Sequence, residues 1–304
     1  MTSRSETEMM TLILEVAKDP RILAVLQDGS RSNPNVMSDI FQDFDIIYVV
    51  NELFSFLQDH SWVDVFGERM MMQLPEAMEL YPPAPELEGA FSYLLQFKDG
   101  NRIDLILVPL ERLEQFTRDS LCKVLWDKTG IFKNNPLPPA SDAGYLVQKP
   151  SERSFTDCCS EFWYTNAGLA KGLWRGEVTL AQELVSQVIR GALLQMMDWY
   201  LGCRHNFNVN TGKFGKYYQR YLEPEVYKKL LATYPVAELP QIWQAVYTMQ
   251  DLFRNAAGFI ATELGYTYPT DWDKNVTAYM QHVQQLPKDA LRIYDGGPVP
   301  ADRC

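Results

Sequence analysis

Three short stretches of this 304-residue sequence carry residue types that could do chemistry together: Gly29-Ser30-Arg31, Asp43-Phe44-Asp45, and Asp104 within Arg-Ile-Asp-Leu-Ile-Leu. Asp43 and Asp45 stand where a β-branched run, Asp-Ile-Ile-Tyr-Val-Val, begins. In a strand that spacing points both side chains to one face. Two carboxylates so placed repel each other unless water or a cation separates them. Asp104 falls inside an apolar run, where an unpaired charge is costly to bury. Its neighbours Ile103 and Leu105 share one face, which leaves Asp104 on the other with Arg102 and Ile106. If the two strands are sheet neighbours, three carboxylates meet. Hard oxygen donors of that kind suit Mg²⁺, with substrate phosphates completing the shell. Asp28-Gly29-Ser30 closes the apolar run 22–27, and its Gly-Ser offers backbone N–H groups and a hydroxyl to phosphate oxygens, with Arg31 adding a positive charge. Taken singly, a Gly-Ser is an ordinary turn and an Asp-x-Asp an ordinary loop. Their order and spacing are what is specific.

The elements that must position these residues are legible from periodicity. Residues 6–18 place Met9, Leu12, Ile13 and Val16 at helical spacing. Short apolar or β-branched runs at 22–27, 45–50, 91–97 and 102–109 read as strands, and Met70-Met71-Met72 reads as strand and core. The last two of those four runs are joined through Lys98-Asp99-Gly100-Asn101, a hairpin signal. Between 134 and 150 the chain turns Pro-rich (Pro136, Pro138, Pro139, Pro150), the best domain boundary available. Beyond it, 155–170, 180–200, 224–233, 239–264 and 272–285 have the length and amphipathicity of helices. The expected architecture is α+β or α/β: an N-terminal domain with a mixed β-sheet over residues 1–145, a C-terminal α-helical bundle over 146–290, and an irregular tail over 291–304.

With 39 acidic against 28 basic residues, the formal charge is −11. Such a field repels nucleic acid and anionic membrane surfaces and draws in cations, so a small polycationic substrate would be steered toward it. No apolar run is long enough to span a bilayer, and the N-terminus lacks a signal-peptide pattern. The five cysteines (Cys122, Cys158, Cys159, Cys203, Cys304) form no CxxC pair and no disulfide framework. A cytoplasmic location is expected, with no nucleic-acid or membrane partner. His60, His205 and His282 show no metal-ligand spacing, and Trp163, Trp174, Trp199 and Trp243 are expected in the helical core.

Gly-Ser, then Asp-x-Asp opening a strand, then a third Asp on a later strand resembles the nucleotidyltransferase superfamily that includes polymerase β. The local text is closer to one branch. Asp28-Gly-Ser-Arg-Ser-Asn-Pro-Asn, Phe41-Gln-Asp-Phe-Asp-Ile-Ile-Tyr-Val-Val, Val65-Phe-Gly-Glu and Asp99-Gly-Asn-Arg-Ile-Asp-Leu look like the aminoglycoside 6-adenylyltransferases. The match runs on through Phe162-Trp163, Ala170-Lys-Gly-Leu-Trp-Arg, Gly212-Lys-Phe-Gly-Lys and Leu264-Gly-Tyr-Thr-Tyr-Pro, nearly the whole chain.

This resemblance implies transfer of AMP from ATP to the 6-hydroxyl of streptomycin, with release of pyrophosphate and resistance to the antibiotic. It assigns Asp43 and Asp45 to Mg²⁺, and Asp104 either to the metal or, the reading taken, to the general base. Gly29, Ser30 and Arg31 would hold nucleotide phosphates, and the helical domain would complete the nucleotide and substrate cleft. Lys213 and Lys216 would clamp the triphosphate across it. The acceptor carries guanidinium groups, so carboxylates should face it, and Asp157 and Glu161, one helical turn apart, are the candidates. Two alternatives remain: the same fold acting on another acceptor, or a non-catalytic nucleotide- or drug-binding module. The oligomeric state is not specified by any of these features.

Overall fold

The computed structural model describes residues 2–294, which divide into two compact units after Gly144. Residues 291–294 of the expected tail are irregular; the remainder, with Cys304, lies outside the described residues.

The first unit is built on a six-stranded mixed sheet in the order β3-β4-β5-β2-β1-β6. Its strands are β1 (Ile22–Gln27), β2 (Phe44–Val50), β3 (Arg69–Gln73), β4 (Phe91–Phe97), β5 (Arg102–Pro109) and β6 (Lys123–Asp127). β2 and β5 run parallel, and the other pairs are antiparallel. Central β2 is buried along nearly its whole length, so it reads as a continuous apolar run, whereas β5 alternates. Phe44, Ile46, Tyr48 and Val50 face one core with Ile103, Leu105 and Leu107. Helix α1 (Glu6–Val16) covers that face through Met9 and Ile13, and the Tyr48 hydroxyl donates to the Ile13 carbonyl at 2.6 Å. Ser5 and Glu8 form a capping box that starts α1.

Ile47 and Val49 face a smaller core on the opposite side, with Ala24, Leu26 and Val108. By the alternation of a strand, Asp45 and Asp104 belong to this side. They lie where its apolar rows end, so the carboxylates reach a polar rim without crossing the core.

Two expectations need correction here. The Met70–Met72 run is a strand but not core: β3 is an edge strand, Met70 and Met71 are 66% and 61% exposed, and Met72 alone packs inward. Asp43 precedes β2 rather than opening it. β6, an edge strand of partly buried residues, was not anticipated.

The second unit is helical among the described residues. Its principal helices are α2 (Glu152–Arg175), α3 (Val178–Glu183), α4 (Arg190–Arg204), α5 (Pro224–Leu231), α6 (Leu239–Leu264) and α7 (Thr270–Gln285). The long helices α2 and α6 share the core: Phe162 stacks on Phe253 with ring centroids 3.8 Å apart, and Trp163 packs edge-on to both. Trp163, Trp199 and Trp243 are buried and Trp174 partly so. The single helix expected over 180–200 is interrupted, since Leu184–Ile189 forms a π-helical segment between α3 and α4. Cys158 and Cys159 are free thiols raised by burial, which disfavours the thiolate. No helix among the described residues is long and apolar enough to cross a membrane. The observed class, a mixed sheet followed by a helical bundle, agrees with the sequence.

Candidate active site

The parallel pairing of β2 with β5 sets Asp45 directly opposite Asp104. β1 runs antiparallel to β2, with Gln27 opposite Ile46, so the chain leaving β1 arrives beside Asp45. There Asp28 donates its backbone N–H to the Asp45 carbonyl at 3.2 Å, and Gly29–Ser32 forms one helical turn. Gly29 has φ +66°, and a Cβ built on it would lie 2.0 Å from Asp45 Oδ2. Both the left-handed backbone and the close carboxylate therefore demand glycine. Among the described residues the Ser30 hydroxyl has no hydrogen-bond partner, and the first-turn amides have no acceptor within so short a helix.

The carboxylates are held at different strengths. Burial pushes Asp45 up to about 6, with the charges of Asp104 and Asp43 adding to it. Asp43 is also raised, by burial first, although Arg102 opposes the shift. Arg102 pairs with Asp104 in bidentate fashion: Nε donates to Oδ1 and Nη2 to Oδ2, both at 2.8 Å. Its Nε is also 3.6 Å from Asp43 Oδ2. Asp45 has no basic group within ion-pair distance among the described residues.

Arg31 differs from its expected part as a phosphate ligand. Its side chain is only 10% exposed, Nε donates to the Asp43 carbonyl at 3.0 Å, and Nη2 to that of Gln42 at 2.8 Å. Nη1 pairs with Glu6 at 3.1 Å, and the guanidinium lies over the Phe44 ring at 4.0 Å. With these donors committed, Arg31 is a strap that fixes the loop carrying Asp43.

Asp28 was missed. Burial first, then the charges of Asp45 and Asp119, push it up to about 7. Its place immediately before Gly-Ser was the only signal, and a turn aspartate is ordinary there.

In the helical unit, Asp157 and Glu161 lie on the exposed face of α2, with Arg153 3.9 Å from Asp157. Lys213 and Lys216 belong to a tight turn in which Gly212, Phe214 and Gly215 all have positive φ (71°, 56° and 72°). Neither lysine has an ion-pair partner among the described residues; each lies near an aromatic ring, Phe214 and Tyr217 respectively.

The arrangement in the first unit, clustered carboxylates beside a Gly-Ser turn at strand ends, suits the binding of a cation together with an anionic phosphate. A family model described as streptomycin adenylyltransferase matches residues 3–283. The chain belongs to the streptomycin adenylyltransferase family. Curated relatives agree: the aminoglycoside 6-adenylyltransferase of Bacillus subtilis (strain 168) is 39% identical over 283 residues, covering 92% of this chain and 98% of the relative. That of Campylobacter jejuni is 40% identical over 279 residues, covering 91% and 95%. A crystal structure of an aminoglycoside 6-adenyltransferase from Bacillus subtilis is similar at 34% identity and a TM-score of 0.46, covering 93% of this chain and 100% of that one. As a member of this family the chain is an enzyme of the nucleotidyltransferase class.

The chemistry of the donors suits a hard divalent cation. Asp43, Asp45 and Asp104 offer only carboxylate oxygens, and a cationic group of the chain, Arg102, already stands between two of them. Among the described residues no group of three or more His, Cys, Asp or Glu side chains is gathered to hold a metal as it stands.

Proposed function

We propose that this chain transfers AMP from Mg-ATP to the 6-hydroxyl of streptomycin and releases pyrophosphate. The observation that carries the reading is the Asp45–Asp104 pair across β2 and β5 beside Gly29-Ser30. The family's description and the names of the relatives support the acceptor.

In this mechanism Asp43 and Asp45 would hold Mg²⁺, which when bound would supply positive charge to offset that of the phosphates. Asp104 takes the proton from the acceptor hydroxyl. The hydroxyl oxygen forms a bond to the α-phosphorus, the bond from that phosphorus to the bridging oxygen breaks, and pyrophosphate leaves with the electron pair. Gly29 and Ser30 direct backbone N–H groups and a hydroxyl at phosphate oxygens. Arg31 holds Asp43 in place from behind. The division of labour follows the domains read from the sequence, residues 1–145 and 146–290. From the helical part, Lys213 and Lys216 supply charge to the triphosphate, and Asp157 and Glu161 pair with the guanidinium groups of the acceptor.

The test is pyrophosphate release from ATP and Mg²⁺ with streptomycin added or withheld. Release that depends on streptomycin is the expected result. Release with a different hydroxylated amine, and none with streptomycin, would keep the reaction and reject the acceptor. Absence of release with every acceptor, despite tight ATP binding, would reject transfer altogether.

A further inference from the structure

Arg102 and Asp104 are two residues apart on β5, so their side chains leave the same face of the sheet. The guanidinium engages both oxygens of Asp104 at 2.8 Å and approaches Asp43 at 3.6 Å. One carboxylate assigned to the divalent cation, Asp43, and the proton acceptor, Asp104, therefore already face a cation of the chain itself.

We propose that Arg102 is an internal counter-cation of this site: it competes with the divalent ion at Asp43, masks Asp104 until then, and turns toward solvent as the ion enters. The inference rests on the metal assignment made under Proposed function and adds a residue that tunes it.

Three observations argue for exchange rather than a permanent pair. Every hydrogen bond of the Arg102 side chain among the described residues ends on Asp104, so rotation of one side chain releases it. Arg31, by contrast, is fixed by backbone carbonyls that no ligand can take over. Secondly, the Arg102 side chain is 41% exposed, so water can receive the guanidinium when it leaves. Thirdly, a guanidinium and a divalent ion repel each other, so an ion held at Asp43 and Asp45 disfavours the guanidinium that lies 3.6 Å from Asp43. The arrangement has a physical purpose. Asp28, Asp43, Asp45 and Asp104 crowd one end of the sheet, and without a resident cation their mutual repulsion would oppose folding before any metal arrives. Exchange also turns the proton-accepting edge of Asp104 free at the moment the site is loaded, which makes Arg102 a positioning residue that acts through Asp104.

The experiment is a Mn²⁺ titration of the full chain, without nucleotide or acceptor, following the free-ion signal by electron paramagnetic resonance. Wild type, Arg102→Gln, Arg102→Lys and Asp104→Asn are compared. The expected result is tenfold or tighter Mn²⁺ binding for Arg102→Gln, an intermediate affinity for Arg102→Lys, and weaker binding for Asp104→Asn. Thermal melting supplies the second readout: Arg102→Gln should melt below wild type in chelator, and Mn²⁺ should raise its midpoint by more than it raises that of wild type. Should Arg102→Gln be too unstable to titrate, Arg102→Lys alone must still bind Mn²⁺ more tightly than wild type. Wild-type binding with equal or weaker affinity in both Arg102 variants would overturn the counter-cation role while leaving the metal site intact. Absence of Mn²⁺ binding in all four proteins would overturn the metal assignment, and this inference with it.

Discussion

On the β1 side of the carboxylate cluster, Arg31 is nearly buried and its guanidinium donates to the carbonyls of Gln42 and Asp43; on the β5 side, Arg102 is 41% exposed and donates to the carboxylate of Asp104. The two arginines flank the same Asp43 and carry the same charge. Their acceptors make the difference. A backbone carbonyl is a fixed acceptor that no incoming ion replaces, whereas a carboxylate exchanges one cation for another. Gly29 reinforces the fixed side, because its bare α-carbon sits against Asp45 with no room for a methyl group. One wall of the site is thus preset by folding, and the other is left exchangeable for chemistry.

The largest effect should come from the exchangeable wall. Asp104→Asn is expected to lower turnover by about 10²–10⁴-fold, the usual range for loss of a general base. Stability should shift by less than about 1 kcal/mol, since a half-exposed ion pair contributes little. Removal of the Asp104 charge also relieves Asp45, which it now pushes upward. Steady-state pyrophosphate release and a urea melt check the two halves; near-full turnover in a folded variant would remove Asp104 from the mechanism.

On the fixed wall, Gly29→Ala should reduce both activity and stability. The added Cβ meets Asp45 Oδ2 at 2.0 Å and the backbone must hold φ +66°, a conformation costing an L residue about 1–3 kcal/mol. A turnover loss of more than about tenfold is expected from displacement of Asp45, in line with the sensitivity of catalysis to small misplacements. A variant with a wild-type urea midpoint would show that this wall is not preset.

Arg31→Met sharpens the contrast between the two arginines. It removes donors from two carbonyls while keeping apolar cover over Phe44, so the expected loss is about 2 kcal/mol of stability. Its Mn²⁺ affinity should stay within a few-fold of wild type, unlike the tightening expected of Arg102→Gln. Equal tightening in both would erase the distinction between them.

Much of this wall-and-cluster arrangement was legible in the sequence, for reasons that also explain what was not. β1, β4, β5 and α6 carry uninterrupted patterns bounded by turn residues, and they were read at the boundaries observed. β6 (Lys-Val-Leu-Trp-Asp) is a short edge strand with every residue only partly buried, so neither alternation nor an apolar run marks it. β3 was read as a strand, but three methionines say nothing about which of them faces water on an edge. The π segment Leu184–Ile189 has ordinary helical composition, and tertiary packing decides its winding. In the site, residue type and spacing picked out Asp45 and Asp104 because a charge in a strand needs a reason. The type of Arg31 announced its charge but not its acceptors, which exist only once Gln42 and Asp43 are folded over it.

The smallest effect should come from a third pairing, between Arg4 and Asp99 at the β4–β5 hairpin, where an aspartate is tied to an arginine with no part in the chemistry. Arg4 Nε lies 2.6 Å from Asp99 Oδ2, and Asn101 donates to the same carboxylate through its backbone and side chain at 3.1 Å. The Arg4 hydrogen bond, assisted by those of Asn101, holds Asp99 well below the usual carboxylate range. A carboxyl depressed by folding contributes stability above its unfolded value, about 3.9, and loses it as pH falls through the folded value. Asp99→Asn should therefore cost about 1–2 kcal/mol at pH 7, and the gap to wild type should narrow progressively below about pH 4. Turnover should change less than about threefold, because the strand register that opposes Asp45 and Asp104 is set by the whole β2–β5 ladder rather than by the hairpin tip. Urea midpoints at pH 7 and pH 3, with pyrophosphate release at pH 7, decide it. A gap that widens in acid would reverse the sign assigned to this pair, and a large loss of turnover would mean that the hairpin is part of the exchangeable wall.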